Sequence, residues 1–199
     1  MITKKEQIWR YILEKALSPE RVFEFAQKEI AAQLGCSTST VFNALKTPRD
    51  SGAVRVGGRG FTVINLDKFL TIWATRRRLM KDIVYQTHVD APVRAIEQEM
   101  PPQVVFTGYS GYKFRFKDTP ADYDKVYVYC PSAVLPELKK RFPRSRKKSP
   151  NLFALSPDRH LAASEGLAPQ AQLYVDLWNL PDWYAHDYLK ALKEKLSLV

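Results

Sequence analysis

Apolar residues recur at helical spacing over the first seventeen positions of the chain. The stripe comprises Ile8, Trp9, Ile12, Leu13 and Ala16. Thr3 and Glu6 have the spacing of a capping box, in which each side chain bonds to the other residue's backbone N–H. The pattern therefore predicts an amphipathic helix from Thr3 to Leu17, ended by Ser18 and Pro19. Val22 to Phe25 then alternates as a short strand would.

The stretch from Gln27 to Val63 predicts two short helices followed by a hairpin. Ile30, Ala31 and Leu34 form one apolar face, and Gly35 follows where a helix end favours a left-handed backbone. Ser37 to Ser39 can cap the next helix. In that helix we expect Val41, Phe42 and Leu45 to face inward. Two β-prone runs then flank a tip of glycine and arginine, so the stretch has the pattern of a helix-turn-helix followed by a wing.

The outward side of the second helix is predicted to carry short polar and basic side chains. They are Thr38, Ser39, Thr40, Asn43 and Lys46. Such residues suit phosphate oxygens and base edges in the major groove of double-stranded DNA. Arg55 and Arg59 lie on the predicted wing, where they would reach the DNA backbone or the minor groove. The alternative is an ordinary helical hairpin with a solvated face.

A further helix is expected after Asn65 or Asp67, and it ends in a basic cluster from Thr75 to Lys81. The cluster contains Arg76, Arg77 and Arg78. These arginines are either accessory phosphate contacts or the solvated end of a helix, which favours cations at its C-terminus. The sequence leaves both interpretations open.

Strands and helices alternate in the second half of the chain, which predicts a small α/β domain. Predicted strands are Val104–Thr107, Lys125–Tyr129 and Asn151–Leu155, and predicted helices are Pro131–Phe142, Ala168–Leu180 and Pro181–Leu196. Gly108 to Gly111 is expected to form a turn. We assign residues 1–81 to the winged helix-turn-helix, 82–100 to a linker and connecting helix, and 101–199 to the α/β domain. The part from Asp82 to Ala91 could itself be a strand.

Charge separates the two halves. The 199-residue chain has a net charge of +10. Residues 1–81 hold 15 Lys and Arg against 7 Asp and Glu, giving +8, whereas residues 82–199 hold 16 against 14, giving +2. A basic half joined to a nearly neutral half indicates a polyanion-binding module with a second function attached.

Targeting and metal-binding signals are not predicted. The two cysteines, Cys36 and Cys130, lack metal-ligand spacing and fit small buried side chains in a reducing compartment. No signal segment or membrane-length apolar run is apparent. The expected location is the cytoplasm, with the protein associated with the nucleoid, and no cofactor is predicted.

Four blocks of the second half resemble a known family. They are Val105–Tyr112, Thr119–Tyr129, Asn151–Leu155 and Ala171–Leu180, the last followed by Trp183-Tyr-Ala. The segment from Pro101 to Leu192 is similar to the C-terminal domain of AbiEi-type antitoxins of type IV toxin-antitoxin systems. The resemblance implies a DNA-binding autorepressor with a nucleotidyltransferase-type toxin as its partner.

An enzymatic alternative depends on Gly108-Tyr-Ser110 followed by Asp122-Tyr-Asp124. Nucleotidyltransferases combine a small-residue turn for phosphates with paired carboxylates that hold Mg²⁺. Here the carboxylates stand in a loop before the strand, and a third carboxylate on a following strand is missing. We therefore favour a capped turn, and predict no catalytic residue. A degenerate nucleotidyltransferase-like fold without catalysis is left open.

A third hypothesis is that the winged helix binds another protein. Its basic charge and arginine-bearing wing argue for DNA instead. Because a single winged helix contacts few base pairs, a homodimer on a two-fold operator is expected, with its interface in the C-terminal half.

Overall fold

Three helices and a three-stranded sheet form the N-terminal part of the protein. The computed structural model describes residues 2–58, 60–145 and 148–198. The helices are α1 (Lys4–Leu17), α2 (Gln27–Leu34) and α3 (Thr38–Asp50), and the strands are β1 (Glu24–Phe25), β2 (Val54–Gly57) and β3 (Gly60–Val63). The sheet is antiparallel in the order β1-β3-β2.

Local capping explains where these helices begin and end. The predicted capping box is present, because the Thr3 hydroxyl accepts from the Glu6 N–H while the Glu6 carboxylate accepts from the Thr3 N–H. Gly35 ends α2 with φ of 58°, a left-handed conformation that glycine adopts without steric cost. The Ser37 hydroxyl then accepts from the Thr40 N–H at 3.1 Å and begins α3. These local predictions are confirmed.

The segment predicted as a linker contributes a strand to a second sheet. Helix α4 (Leu66–Arg76) is capped by Asn65 and followed by a 3-10 turn, by β4 (Ile83–Thr87) and by α5 (Val93–Gln98). Strand β4 pairs antiparallel with β7 (Leu152–Leu155). Ile83 and Thr87 register with Leu155 and Leu152, so residues 83–87 are a strand and not an interdomain link, whereas α5 lies in the range that was expected to hold a connecting helix. The strand interpretation of this segment is the one that holds.

The second sheet has four strands in the order β4-β7-β6-β5. Strands β5 (Val105–Thr107) and β6 (Val126–Tyr129) are antiparallel, whereas β6 and β7 are parallel. The remaining helices are α6 (Gly108–Phe116), α7 (Leu135–Arg141), α8 (Arg159–Ala162), α9 (Gln170–Asn179) and α10 (Ala185–Lys195). The fold is thus mixed α/β with two small sheets.

Gly108 to Gly111 is the first turn of helix α6 and not a loop. Helical spacing places Tyr109 and Tyr112 on one flank, and both rings contact Tyr188 of α10 at centroid distances of 5.0 and 5.3 Å. Burial of these two rings favours the helix over the expected turn. The Tyr109 and Tyr112 rings therefore contribute to internal packing.

One hydrophobic core runs through both halves of the chain. It includes side chains from Ile8 of α1 to Leu192 of α10. Helix α9 packs against α1 and α4, and is buried at every position from Ala171 to Leu177. A smaller core on the other face of the second sheet gathers around Val126 and Val128. Within the described ranges, no helix has both the length and the apolar character needed to cross a membrane.

Candidate nucleic-acid interface

Helix α3 presents a polar face to solvent. Thr38, Ser39, Asn43 and Lys46 are exposed, and Thr40 is half-buried. The hydroxyls of Ser39 and Thr40 each lie 2.8 Å from the Ser37 hydroxyl and are part of the helix cap. In the described part of the chain, the side chains of Thr38, Asn43 and Lys46 have no hydrogen-bonding partner. These three groups are therefore available to an external ligand.

The inward side of α3 is fixed to the core. The Trp9 Nε1 of α1 donates a buried hydrogen bond of 2.8 Å to the Ala44 carbonyl oxygen. Val41, Ala44 and Leu45 are buried beneath it. A side chain on the outer face is thus carried by a helix whose orientation is set by packing and by one specific hydrogen bond.

Phe42 was predicted to face inward, and this prediction is wrong. Its side chain is 40% exposed, and Ala44 occupies the inward position instead. The buried positions of α3 are 41, 44, 45 and 48, which share one face at helical spacing, and Phe42 is rotated out of it. The Arg49 guanidinium lies 5.5 Å from the ring centroid. The outward face therefore has an apolar, aromatic component that the sequence analysis missed.

The β2–β3 hairpin lies immediately after α3. Arg55 is exposed on β2 and registers with Thr62 on β3. Gly57 pairs with Gly60 at the end of the hairpin. Arg59, the other arginine predicted for the wing, falls outside the described residues. Gly60 has a steric role, because a Cβ at this position would overlap the Phe25 carbonyl oxygen of β1.

The three consecutive arginines at the C-terminal end of α4 have different environments. Arg76 and Arg78 are exposed, as a phosphate contact requires, but Arg77 is only 4% exposed. The chain becomes extended at Arg77 and directs its side chain into the protein. Its guanidinium lies 2.7 Å from the Asp82 carboxylate and donates to the Tyr129 hydroxyl at 3.3 Å. Arg77 as a DNA contact is therefore corrected to a buried structural residue.

Arg77 belongs to a buried polar network that joins the two halves of the chain. Its guanidinium also lies 3.7 Å from Glu6 and 3.9 Å from Asp176. Asp176 is completely buried and accepts from Thr107 at 2.7 Å and from Tyr129 at 2.8 Å. Burial raises the pKa of Asp176, whereas the Arg77 charge acts in the opposite direction.

Arg10 of α1 joins this network through Gln172, which lies one helical turn before Asp176 on α9 and donates to it at 2.8 Å. Arg10 donates two hydrogen bonds, at 2.7 and 2.8 Å, to the Asp158 carboxylate and one at 3.1 Å to the Gln172 side chain. Burial acts to raise the pKa of Asp158, but the hydrogen bonds and charge of Arg10, together with two backbone N–H donors, outweigh it and lower the pKa. Sequence reasoning missed Arg10. The sequence signal for its burial was its position three residues before Leu13, next to the apolar stripe of α1.

The carboxylates of the enzymatic alternative lie on the surface. Asp122 and Asp124 are exposed in the loop before β6, and Asp124 accepts from the Tyr184 hydroxyl at 2.6 Å. Among the residues that the structure describes, no three His, Cys, Asp or Glu side chains are grouped in a way that could hold a metal ion. The hydrogen bond to Tyr184 gives Asp124 a role in packing the loop against α10.

Comparison of the chain with models of known protein families, with curated proteins and with solved structures finds no match.

Proposed function

We propose that residues 1–81 form a winged helix-turn-helix that binds double-stranded DNA, and that the protein regulates transcription. The observation that carries the proposal is the outward face of α3. It combines exposed Thr38, Asn43 and Lys46, and the helix contains no acidic residue before Asp50. Helix α3 has 13 residues and is therefore about 20 Å long, which suits insertion into a groove about 12 Å wide.

Each group on this face has a chemical counterpart in DNA. An asparagine amide such as Asn43 can pair with the N6 and N7 atoms of adenine, and the Phe42 ring can contact a thymine methyl group. Lys46 would contact phosphate. Arg55, together with Arg59, would contact the backbone or the minor groove from the hairpin.

Exposed cations around α3 would supply most of the affinity. The α3 face itself contributes one lysine, whereas residues 1–81 carry a net charge of +8. Arg76 and Arg78 are accessory phosphate contacts in this proposal, and Arg77 is not. Neutralised phosphates release counterions, so binding should depend steeply on salt concentration.

We propose that the protein acts as an antitoxin that represses transcription of its own gene, with a nucleotidyltransferase-type toxin as its partner. Its support is the resemblance of residues 101–192 to the AbiEi-type C-terminal domain. A homodimer on a two-fold operator would supply the contacts that one winged helix lacks. A toxin gene beside this one, and co-purification of the two products, would support the role. Purification of the two proteins as separate, non-interacting species would count against it.

DNA binding can be tested with duplexes selected from a random library. On the selected site, Asn43→Ala should weaken binding by about 1–3 kcal/mol and relax base preference at one position. Arg55→Ala should weaken binding to all duplexes and reduce the slope of log K against log salt by about one. Fluorescence anisotropy measures both effects.

The matched control is Lys195→Ala, which removes a cation from the end of α10 and should leave binding unchanged. If selection enriches no duplex, DNA binding itself is wrong. If the protein binds DNA but neither Asn43→Ala nor Arg55→Ala alters affinity, the α3 docking arrangement is wrong.

A further inference from the structure

A groove between α9 and α10 has features of a ligand site that DNA binding does not use. We call it the tryptophan groove, defined by Leu177, Trp178, Leu180, Trp183, Leu189 and Lys190, with a volume of about 580 Å³. Ligand sites for small molecules commonly enclose about 300–1,000 Å³ and combine an apolar lining with a few polar groups. Leu177, Leu180 and Leu189 provide that apolar lining.

Two indole rings stand at the solvent side of the groove. Trp183 is 79% exposed and Trp178 is 38% exposed. The other two tryptophans, Trp9 and Trp73, are buried, and their Nε1 atoms donate to Ala44 and Glu6. Large exposed aromatic surface is unfavourable in water, and aromatic side chains pack well on planar rings. The two exposed indoles therefore favour a flat aromatic ligand.

The charge of the groove is positive. Lys190 is exposed and has no ionic partner within the described ranges. Lys193 also lines the groove and forms an ion pair of 2.9 Å with Asp67 of α4. The one carboxylate in the lining, Asp182, is already engaged by an ion pair with Lys125 and by the Tyr109 hydroxyl. A negative ligand thus complements the groove.

We propose that the tryptophan groove binds a small planar aromatic anion, such as an aromatic carboxylate. The ring lies against Trp178 and Trp183, and the carboxylate contacts Lys190 and Lys193. The groove is open on its solvent side, so a small molecule can enter without displacement of a helix. The proposal does not depend on DNA binding by the N-terminal half.

Lys193 connects the groove to the N-terminal half of the molecule. Its partner Asp67 lies in the first turn of α4, and the Asn179 amide at the end of α9 donates to the Ala74 carbonyl oxygen at 3.0 Å. A bound anion competes with Asp67 for Lys193. Ligand binding in the groove would therefore weaken the ion pair of Asp67 in α4, the helix that ends at the exposed Arg76.

The test is a titration of the full chain with 2-naphthoate, followed by the tryptophan indole N–H signals in ¹H–¹⁵N spectra. Ligands of about this size bind with dissociation constants of about 1 mM, so the titration should extend to about 10 mM. The signals of Trp178 and Trp183, assigned with Trp→Phe variants, should shift and saturate. The signals of Trp9 and Trp73 should not move.

Two controls identify the roles of the ring and of the charge. Lys190→Gln should weaken binding by about two- to fivefold, the loss of one exposed charge contact, whereas Lys195→Gln on the same helix should not. The neutral analogue 2-naphthylmethanol should bind more weakly than 2-naphthoate. The proposal is overturned if no indole signal saturates, if the buried tryptophans respond equally, or if the neutral analogue binds as well as the anion.

Discussion

Because Arg77 is buried while Arg76 and Arg78 are exposed, we expect substitution of Arg77 alone to destabilise the fold. Arg77→Met keeps most of the side-chain volume but removes the cation that lies beside Asp176 and Glu6. Breaking a buried ion pair by removing one partner typically costs about 3–5 kcal/mol, because the remaining charge stays buried. We expect a loss of that size in the free energy of unfolding. For a chain of this length it corresponds to a decrease in Tm of roughly 6–20 °C.

The destabilisation should also depend on pH. Loss of Arg77 removes an interaction that lowers the pKa of Asp176, so the folded-state pKa of this acid rises further above its unfolded value near 3.8. A folded state that binds protons more tightly than the unfolded state loses stability as pH rises. The deficit of Arg77→Met relative to the wild type should therefore be larger at about pH 7.5 than at about pH 5.

Urea unfolding followed by circular dichroism measures these quantities. Arg76→Ala and Arg78→Ala are matched controls, because both side chains are exposed, and each should remain within about 0.5 kcal/mol of the wild type. Arg77→Lys, which retains the charge, should recover part of the loss and provides a folded variant if Arg77→Met does not fold. An Arg77→Met protein within about 1 kcal/mol of the wild type would refute the structural role.

Two further predictions concern contacts between elements. Burial raises the pKa of Glu14 from 4.5 to about 6, and this carboxylate accepts a hydrogen bond from the Ala171 N–H at the start of α9. As pH rises through this interval, the free energy of unfolding should fall by about 2 kcal/mol relative to that of Glu14→Gln. The glutamine keeps an acceptor oxygen but does not titrate. Equal pH profiles for the two proteins in thermal unfolding would contradict that pKa. Gly60→Ala should cost about 1–3 kcal/mol through overlap with the Phe25 carbonyl oxygen, whereas Gly58→Ala, where a Cβ meets no atom within 4 Å, should be nearly neutral. Similar stabilities of these two variants would show that β1 can move aside.

Features encoded within a few residues were predictable from the sequence. Each helix cap depends only on neighbours along the chain. Examples are the capping box of Thr3 and Glu6, the left-handed Gly35, and the caps at Ser37 and Asn65. The helices and strands around them therefore follow the predictions closely. The same applies to the exposed positions of Asn43 and Lys46, since helical spacing determines which face they share.

Features decided by distant partners were not predictable in the same way. The triplet Arg76-Arg77-Arg78 looks uniform in sequence, and only Glu6, Tyr129 and Asp176, far away along the chain, distinguish Arg77 from its neighbours. Strand β4 needed β7 for its assignment, because a five-residue run with one bulge has little pattern of its own.

Helix α9 has a consequence for how the protein can be divided. It packs on α1 and α4 of the N-terminal part and on α6 and α10 of the C-terminal part, and carries Gln172 and Asp176 of the buried network. The proposed DNA-binding unit is therefore not an interchangeable module. A chimaera that transfers residues 1–81 to another protein would expose the surfaces of α1 and α4 that α9 now covers. It would also leave Arg10 and Arg77 without their acceptors in the C-terminal part. Recombination of this fold has to carry α9 along with the N-terminal helices.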